Sequence, residues 1–447
     1  MLYRKIQARI AEYLKSPSNK VLIVTGARQV GKTFIIEHLG RMMFPNFVSL
    51  NLAEDFNRKK IFQEVRSTDD FYLAITARLK AVTSTPQNTL VFLDEIQNYP
   101  HLITLLKFLK QDNKYTYIAS GSLLGVTLAQ TSSIPIGSIE LLEMFPLDFE
   151  EFLLANGFGP TAIEEIYKRF QLQESLPKPL HLQVMDLFKK YLLVGGLPDA
   201  VNTFLREKHT AKIRLIQHDV HLLYANDAGK YDQERRLHIK RIFEMIPSNL
   251  ENKKKRVILQ EIEHKKGKYF ADYQEEFDYL VSAGVALEVK SIANPIFPLI
   301  QSSRKNFLKL YLNDVGILTG ILYQNNISVL LEDNGRINLG AIYESLVAQE
   351  LKAHGFNLYY YDNRKKGEVD FLIDDFQALA VLPIEVKSGK SYTSHAALHN
   401  FIKAYSIKKA IVFSSEHQVK IDGPICYLPI YYVMCLKPFT DEKSLLL

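Results

Sequence analysis

Short apolar runs alternate with stretches of helical periodicity over the first third of the chain. Val21–Thr25, Phe47–Leu52, Thr89–Asp94, Tyr115–Ala119 and Ile139–Met144 are runs of strand length. Thr33–Met43, Phe71–Ala81 and His101–Gln111 space their apolar positions as helices do. Near-continuous apolar strands separated by helices predict a parallel sheet covered on both faces. From Pro146 to Lys230 the pattern turns helical: Asp148–Leu154, Ala162–Leu172, Val184–Leu193 and Ala211–Tyr224, broken by a Gly-Gly-Leu-Pro turn at Gly195–Pro198. Tyr231 to about Pro298 reads as helix, helix, basic loop, helix and strand pair. After Gly335 the pattern is again mixed. Gly340–His354 and His395–Tyr405 are predicted helices; Asn357–Tyr361, Glu368–Ile373, Ala378–Val386, Lys409–Phe413 and Cys426–Met434 are predicted strands. These shifts divide the chain into 1–145, 146–230, 231–330 and 331–447.

With 447 residues, 47% of them hydrophobic and 23% charged, the chain can bury several cores. Its 21 Gly and 17 Pro exclude a collagen-like or low-complexity chain. Two cysteines, Cys426 and Cys435, exclude a disulfide framework and a four-cysteine zinc site, and their buried-strand pattern predicts core positions. The longest apolar stretch, around Ile425–Leu436, is too short to span a bilayer and contains Pro429. Met1–Lys20 mixes charges with apolar positions, which reads as an amphipathic helix and not a signal peptide. The expectation is a soluble, cytoplasmic protein with no membrane partner. A net charge of +6 permits an acidic partner without requiring one.

Gly26-Ala27-Arg28-Gln29-Val30-Gly31-Lys32-Thr33 fits G-x-x-x-x-G-K-[ST] without a mismatch. An apolar strand runs into it and a helical pattern begins at Lys32. Such a loop wraps its N–H groups around phosphate oxygens, and the helix N-terminus adds its dipole. Lys32 would place positive charge on the β- and γ-phosphates of ATP, and the Thr33 hydroxyl would be a magnesium ligand. Four apolar residues, Leu90–Leu93, precede Asp94, which would hold the same Mg2+ ion, and Glu95 would orient or deprotonate the attacking water. Ser120-Gly121-Ser122 follows the next strand. It reads equally as a γ-phosphate sensor or a plain turn.

Here the chain resembles the AAA-type P-loop ATPases of bacteria and archaea that carry a C-terminal nuclease-like domain. The residues that carry the resemblance are Val24–Thr33, Leu93-Asp94-Glu95-Ile96-Gln97, Phe145–Leu153, Gly195–Pro198, Leu310–Gly316 and the C-terminal segment below. The resemblance implies an extra strand between the two nucleotide-binding strands and a catalytic Glu. Members often carry Arg or Lys after a Gly ahead of the Pro-Leu motif; here Gly137 is followed by Ser138, so no arginine finger is assigned.

Glu385-Val386-Lys387 closes an apolar run, and two-residue spacing on a strand puts Glu385 and Lys387 on one face. Asp370 lies on the preceding strand and Glu344 on the helix before it. A helix acid, a strand Asp and E-x-K on the next strand resemble the PD-(D/E)XK nuclease superfamily. Asp370 and Glu385 would hold Mg2+ through hard oxygens, with Glu344 adding a contact through water. Lys387 would orient the water or stabilise the transition state. Arg364, Lys365 and Lys366 could contact phosphates, or form a solvated turn.

The middle region is basic around Lys253, Lys254, Lys255, Arg256, Lys265, Lys266 and Lys268. The resemblance and the order of elements point to a winged-helix-like module. Its candidate recognition helix, Asp272–Ala283, carries Asp272, Glu275, Glu276 and Asp278, which would repel DNA. His218 and His221 read as a helix face and not a metal pair. The expected fold class is therefore α/β: a P-loop NTPase with a parallel sheet (1–145), a helical lid (146–230), a winged-helix-like module and connector (231–330), and a restriction-endonuclease-like domain (331–447). The expected function is an ATP-hydrolysing ATPase coupled to a nucleic-acid-directed, nuclease-like domain, with DNA as the candidate partner and a homo-oligomer allowed. The alternatives are a regulatory ATPase switch whose C-terminal domain binds nucleic acid or protein without cutting, and a chaperone-like or sensor ATPase.

Overall fold

The computed structural model describes residues 1–16, 19–76, 88–122, 137–227, 235–252, 255–263, 267–331, 339–363, 367–389, 392, 393 and 395–438. Lys253, Lys254, Lys265, Lys266 and Arg364, Lys365 and Lys366 lie outside the described residues, as does the end of the expected helix Phe71–Ala81. Two compact units divide the chain: Tyr3–Phe145 with Asp278–Val285, and Pro146–Phe277 with Ala286–Leu447. Among the described residues no helix is long and apolar enough to cross a membrane.

The N-terminal unit is built on β1 (Val21–Thr25), β2 (Asn46–Asn51), β3 (Thr89–Asp94), β4 (Thr116–Ser120) and β5 (Ile139–Glu143). Their order is β2-β3-β4-β1-β5 and every pairing is parallel. Strand β4 therefore lies between β1, which feeds the glycine-rich loop, and β3, which ends in Asp94. That is the extra strand the resemblance implies. Helices α1 (Ile6–Lys15), α2 (Lys32–Met43) and α3 (Pro100–Asp112) belong to this unit. All six residues of β3 are buried. Its run of Leu90, Val91, Phe92 and Leu93 is apolar on both faces because both are covered. Each such side chain contributes roughly 1.5–3 kcal/mol on burial. The strand ends share one edge, and β1 and β3 deliver the loop and Asp94–Glu95 there.

The second unit begins with helices, among them α4 (Phe149–Ala155), α5 (Lys178–Val194) and α6 (Thr210–Asp227). It also contains β6 (Ala286–Ile292), β7 (Ser303–Leu312), α7 (Val315–Tyr323), α8 (Gly340–Ala353), β8 (Tyr359–Asn363), β9 (Gly367–Asp375), β10 (Ala380–Lys387), β11 (Ala410–Ser414), β12 (Lys420–Asp422) and β13 (Ile425–Pro429). The eight strands form one mixed sheet in the order β12-β13-β11-β10-β9-β8-β6-β7. The pair β6–β7, expected as the wing of a separate module, continues this sheet instead: β6 runs parallel to β8 from Lys290 to Ile292. The expected strand Cys426–Met434 stops at Pro429 and continues as the 3-10 helix Ile430–Cys435. Proline has no N–H for the ladder, and a segment apolar on every side has no periodicity to separate strand from helix.

Three of the segments that carry the family resemblance meet in one buried junction of this unit. Asp148 caps α4 in a reciprocal capping box with Glu151. Leu147 N donates to Gly196 O at 2.8 Å. Asp314 caps α7 through Ile317 N at 3.0 Å and accepts from Gly196 N at 2.6 Å. Phe149 N donates to Glu350 Oε1 on α8 at 2.8 Å. A Cβ on Gly196 would lie 2.1 Å from the Leu147 carbonyl oxygen, which is backbone and cannot swing aside. Gly196→Ala is expected to lower unfolding stability by about 2–4 kcal/mol. Gly389→Ala, with no atom within 4 Å of its Cβ, is the control and should stay within about 0.5 kcal/mol of the parent. Denaturant midpoints of the two variants check this; equal midpoints would contradict it.

Candidate functional site

The loop after β1 is shaped by backbone that only particular residues tolerate. Gly26 has φ 130°, and a Cβ there would meet the Met144 carbonyl oxygen at 2.2 Å. Gly31, at φ 98°, leads into α2 at Lys32. Buried Arg4 braces the loop from outside, donating to Val30 O at 2.9 Å and to Phe145 O at 2.6 Å. Sequence reading missed this brace, since Arg4 looked like one more charge on an amphipathic helix.

Lys32 is buried, and its Nζ donates to the loop carbonyls of Gly26 at 2.9 Å and Ala27 at 2.7 Å. Burial lowers its pKa to about 8, against the opposing pull of Glu95 and Asp94; Arg28 lowers it further. Thr33 Oγ1 donates to Asp94 Oδ2 at 3.0 Å and lies 3.2 Å from Oδ1. Ser120 Oγ donates to the same carboxylate. Burial raises the Asp94 pKa, while the hydrogen bonds from Ser120 and Thr33 work to lower it. The two expected magnesium ligands thus face each other across hydrogen-bond distance, and their hard oxygens suit that ion.

Glu95 departs from the strand in left-handed conformation, φ 57° and ψ 46°. A non-glycine residue there stores roughly 1–3 kcal/mol of strain. The turn sends its side chain toward the end of β4, where Ser122 Oγ lies 3.3 Å from Glu95 Oε2. Gln97 Nε2 donates to the same oxygen and lies 3.3 Å from Ser122 Oγ. Of the loop residues expected to bind nucleotide, Arg28 and Lys32 bring charge to this place, and Ala27 and Val30 are buried in its wall. Gln29 holds left-handed backbone at φ 63°.

The Lys32 titration has a readable consequence. Above pH 8 the free protein loses the ammonium that a phosphate tail needs, so ATP affinity should fall as pH rises. A single group with a pKa near 8 predicts roughly a tenfold loss between pH 7 and pH 9. Titrations across that range, in buffers that do not bind magnesium, measure it. A flat profile would contradict the role expected of Lys32.

The second unit brings Glu344, Asp370, Glu385 and Lys387 within electrostatic reach of one another. Asp370 on β9 accepts from Val386 N on β10 at 2.9 Å, which places it beside Glu385. Lys387 Nζ donates to Glu385 Oε1 at 2.6 Å, while Glu385 Oε2 is buried without a protein partner. Burial, then Asp370, raises the Glu385 pKa. Burial works to lower the Lys387 pKa, but Glu385 and Asp370 carry it upward overall.

Two further lysines enter the cluster. Lys255 Nζ pairs with Glu344 Oε1, and Tyr311 Oη reaches Glu344 Oε2 at 3.3 Å. Lys309, fully buried, pairs with Glu368 and sits 4.7 Å from the Tyr360 ring centroid. Burial works to lower the Lys309 pKa, yet Glu368, Glu344 and Asp370 raise it, so it stays charged. Among the described residues no group of three or more His, Cys, Asp and Glu is arranged to hold a metal ion. The expected set of Glu344, Asp370 and Glu385 is therefore not a ready cage, because the Lys255 ammonium already neutralises Glu344. Two of the acids of the candidate recognition helix have basic neighbours: Glu275 pairs with Arg235, and Glu276 lies 3.4 Å from His238 Nδ1. His221 stacks on Phe243 at 4.9 Å between ring centroids, and Cys426 and Cys435 are buried.

Residues 18–153 match the family described as AAA domain. Residues 185–327 and 339–433 match two domains of unknown function, DUF8612 and DUF4143. No curated protein matches the chain. Among solved structures, the Walker-type ATPase PABY2304 of Pyrococcus abyssi is 12% identical, with 72% of this chain and 96% of that chain covered and a TM-score of 0.44. The Aeropyrum pernix ORC1 protein, solved in complex with DNA, is 13% identical over 74% of this chain and 95% of its own, with a TM-score of 0.30. Scores this low establish neither fold nor function here. The family match and the loop geometry agree: residues 18–153 match an AAA domain, and the phosphate-binding loop lies inside that match.

Proposed function

We propose that the chain binds ATP with magnesium and hydrolyses it, and that its C-terminal unit is a nuclease-like domain directed at nucleic acid. The observation that carries the first part is the convergence of Lys32, Thr33, Asp94 and Glu95 at one edge of the parallel sheet. Lys32 and the loop N–H groups hold the β- and γ-phosphates. Thr33 and Asp94 hold the magnesium ion, which neutralises phosphate charge when bound. Glu95 accepts a proton from the attacking water.

For the second part, the support is the placement of Asp370, Glu385 and Lys387 on adjoining strands, with one Glu385 oxygen buried and unpartnered. Asp370 and Glu385 would hold a divalent ion, which polarises a phosphodiester when bound. Lys387 would orient the attacking water. A second reading is a switch that binds DNA or a protein partner without cutting. The Lys255–Glu344 ion pair favours it, since it occupies the third carboxylate.

Magnesium-dependent release of phosphate from ATP by the full chain tests the first part. Incubation with single- and double-stranded DNA and magnesium tests the second. Turnover with cleavage is expected. Turnover with DNA binding and no cleavage would select the switch. The absence of ATP turnover would overturn the ATPase reading.

A further inference from the structure

The residue after Gly137 is Ser138 and brings no charge; its carbonyl accepts from Val21 N at 2.8 Å. Positive charge enters the site instead from within the loop. Arg28 Nε approaches Ser122 Oγ at 3.4 Å. The same hydroxyl lies 3.3 Å from both Glu95 Oε2 and Gln97 Nε2. The Arg28 charge also acts on the Lys32 ammonium, lowering its pKa. Gln97 Nε2 donates to Glu95 Oε2, while Gln97 Oε1 is buried with no protein partner. That orphaned acceptor sits on the side chain that grips Glu95, and a buried acceptor left without a donor costs about 1–3 kcal/mol.

We propose that Arg28 is a γ-phosphate contact supplied by the chain's own loop, and that Gln97 positions both Glu95 and the attacking water. The proposal rests on the ATPase reading above. The water oxygen forms its bond to the γ-phosphorus as the bond from that phosphorus to the bridging oxygen breaks. The electron pair of the broken bond leaves on the β-phosphate. One water proton passes to Glu95, and the other hydrogen is held by Gln97 Oε1. Arg28 faces the negative charge on the γ-phosphate and bridging oxygens. Ser122 links the two groups: when a γ-phosphate draws Arg28, the hydroxyl shared with Glu95 is drawn with it, and Gln97 keeps the carboxylate in line. The Arg28 contact exists only with a γ-phosphate, so ADP should not notice its loss.

The experiment uses the full chain with magnesium and compares ADP binding, ATP binding and the single-turnover rate. Arg28→Ala should leave ADP affinity within about twofold, weaken ATP, and slow hydrolysis on the order of 10³-fold, at the low end for an arginine supplied to a phosphoryl transfer. Gln97→Ala should leave both affinities in place and slow hydrolysis by about 10²-fold. Arg28→Gln, which keeps a donor for Ser122 but no charge, should behave as Arg28→Ala and guards against a loop that fails to fold. Equal weakening of ADP and ATP in both Arg28 variants would mean a structural role and overturn the proposal. So would hydrolysis within threefold of the parent in either the Arg28 variants or Gln97→Ala. A parent that binds neither nucleotide would instead fail the ATPase reading itself.

Discussion

Glu95→Gln should bind ATP with near-parental affinity and hydrolyse it about 10²–10⁴-fold more slowly. The reason is local. Glu95 sits one residue past β3 in left-handed backbone, which separates its side chain from Asp94, although the two are sequence neighbours. Asp94 turns to Thr33 and Ser120; Glu95 turns to Gln97 and Ser122. The substitution preserves shape and Thr33–Asp94 geometry, so the phosphate and magnesium contacts survive, while the amide cannot accept a proton from water. Rapid-quench single turnovers read the chemical step directly. A rate within threefold of the parent would remove Glu95 from the base role and transfer it to another group.

The second large effect belongs to the C-terminal cluster. On the proposed nuclease reading, Lys387→Ala should reduce magnesium-dependent DNA cleavage by about 10²–10³-fold, and Asp370→Asn should do the same by removing a carboxylate that would hold the divalent ion. The Lys387 side chain is 29% exposed and bonded to Glu385. Its removal leaves a carboxylate of already raised pKa, which can take up a proton, so the fold should tolerate the change. Lys309→Ala is a different case: it would leave Glu368 without its fully buried partner, and loss of cleavage there would report on folding. Gel assays on supercoiled and linear DNA, with thermal midpoints alongside, separate the two. A parent that binds DNA and never cleaves it would overturn the catalytic assignment and favour the switch.

The nucleotide loop was legible because its chemistry is contiguous: Gly26 to Thr33 supply the turn, the N–H groups, the ammonium and the hydroxyl in one stretch. The parallel sheet followed from apolar runs that need cover on both faces, whereas the strand inserted between β1 and β3 came only from the resemblance. What escaped the sequence depends on contacts between distant segments. Gln97 was only part of a resemblance until Ser122, from beyond another strand, came within 3.3 Å. Lys255 and Lys309 find their carboxylates 89 and 59 residues away, and neither spacing has a local signature. The pair β6–β7 looked like a local hairpin wing because its partner strand, β8, lies far along the chain. The motifs at Leu147–Glu151, Gly195–Pro198 and Asp314 carried the resemblance without chemistry. Their reason is steric and hydrogen-bonded: Gly196 passes the Leu147 carbonyl and feeds its N–H to Asp314.

Everything about the N-terminal site depends on a triphosphate tail being held by Lys32. Calorimetric titration of the full chain with ATP and magnesium at pH 7, repeated on Lys32→Ala, tests this most directly. One saturable binding event in the parent and none in the variant is the predicted result. A parent silent toward every purine triphosphate, or a variant that binds as the parent does, would contradict it.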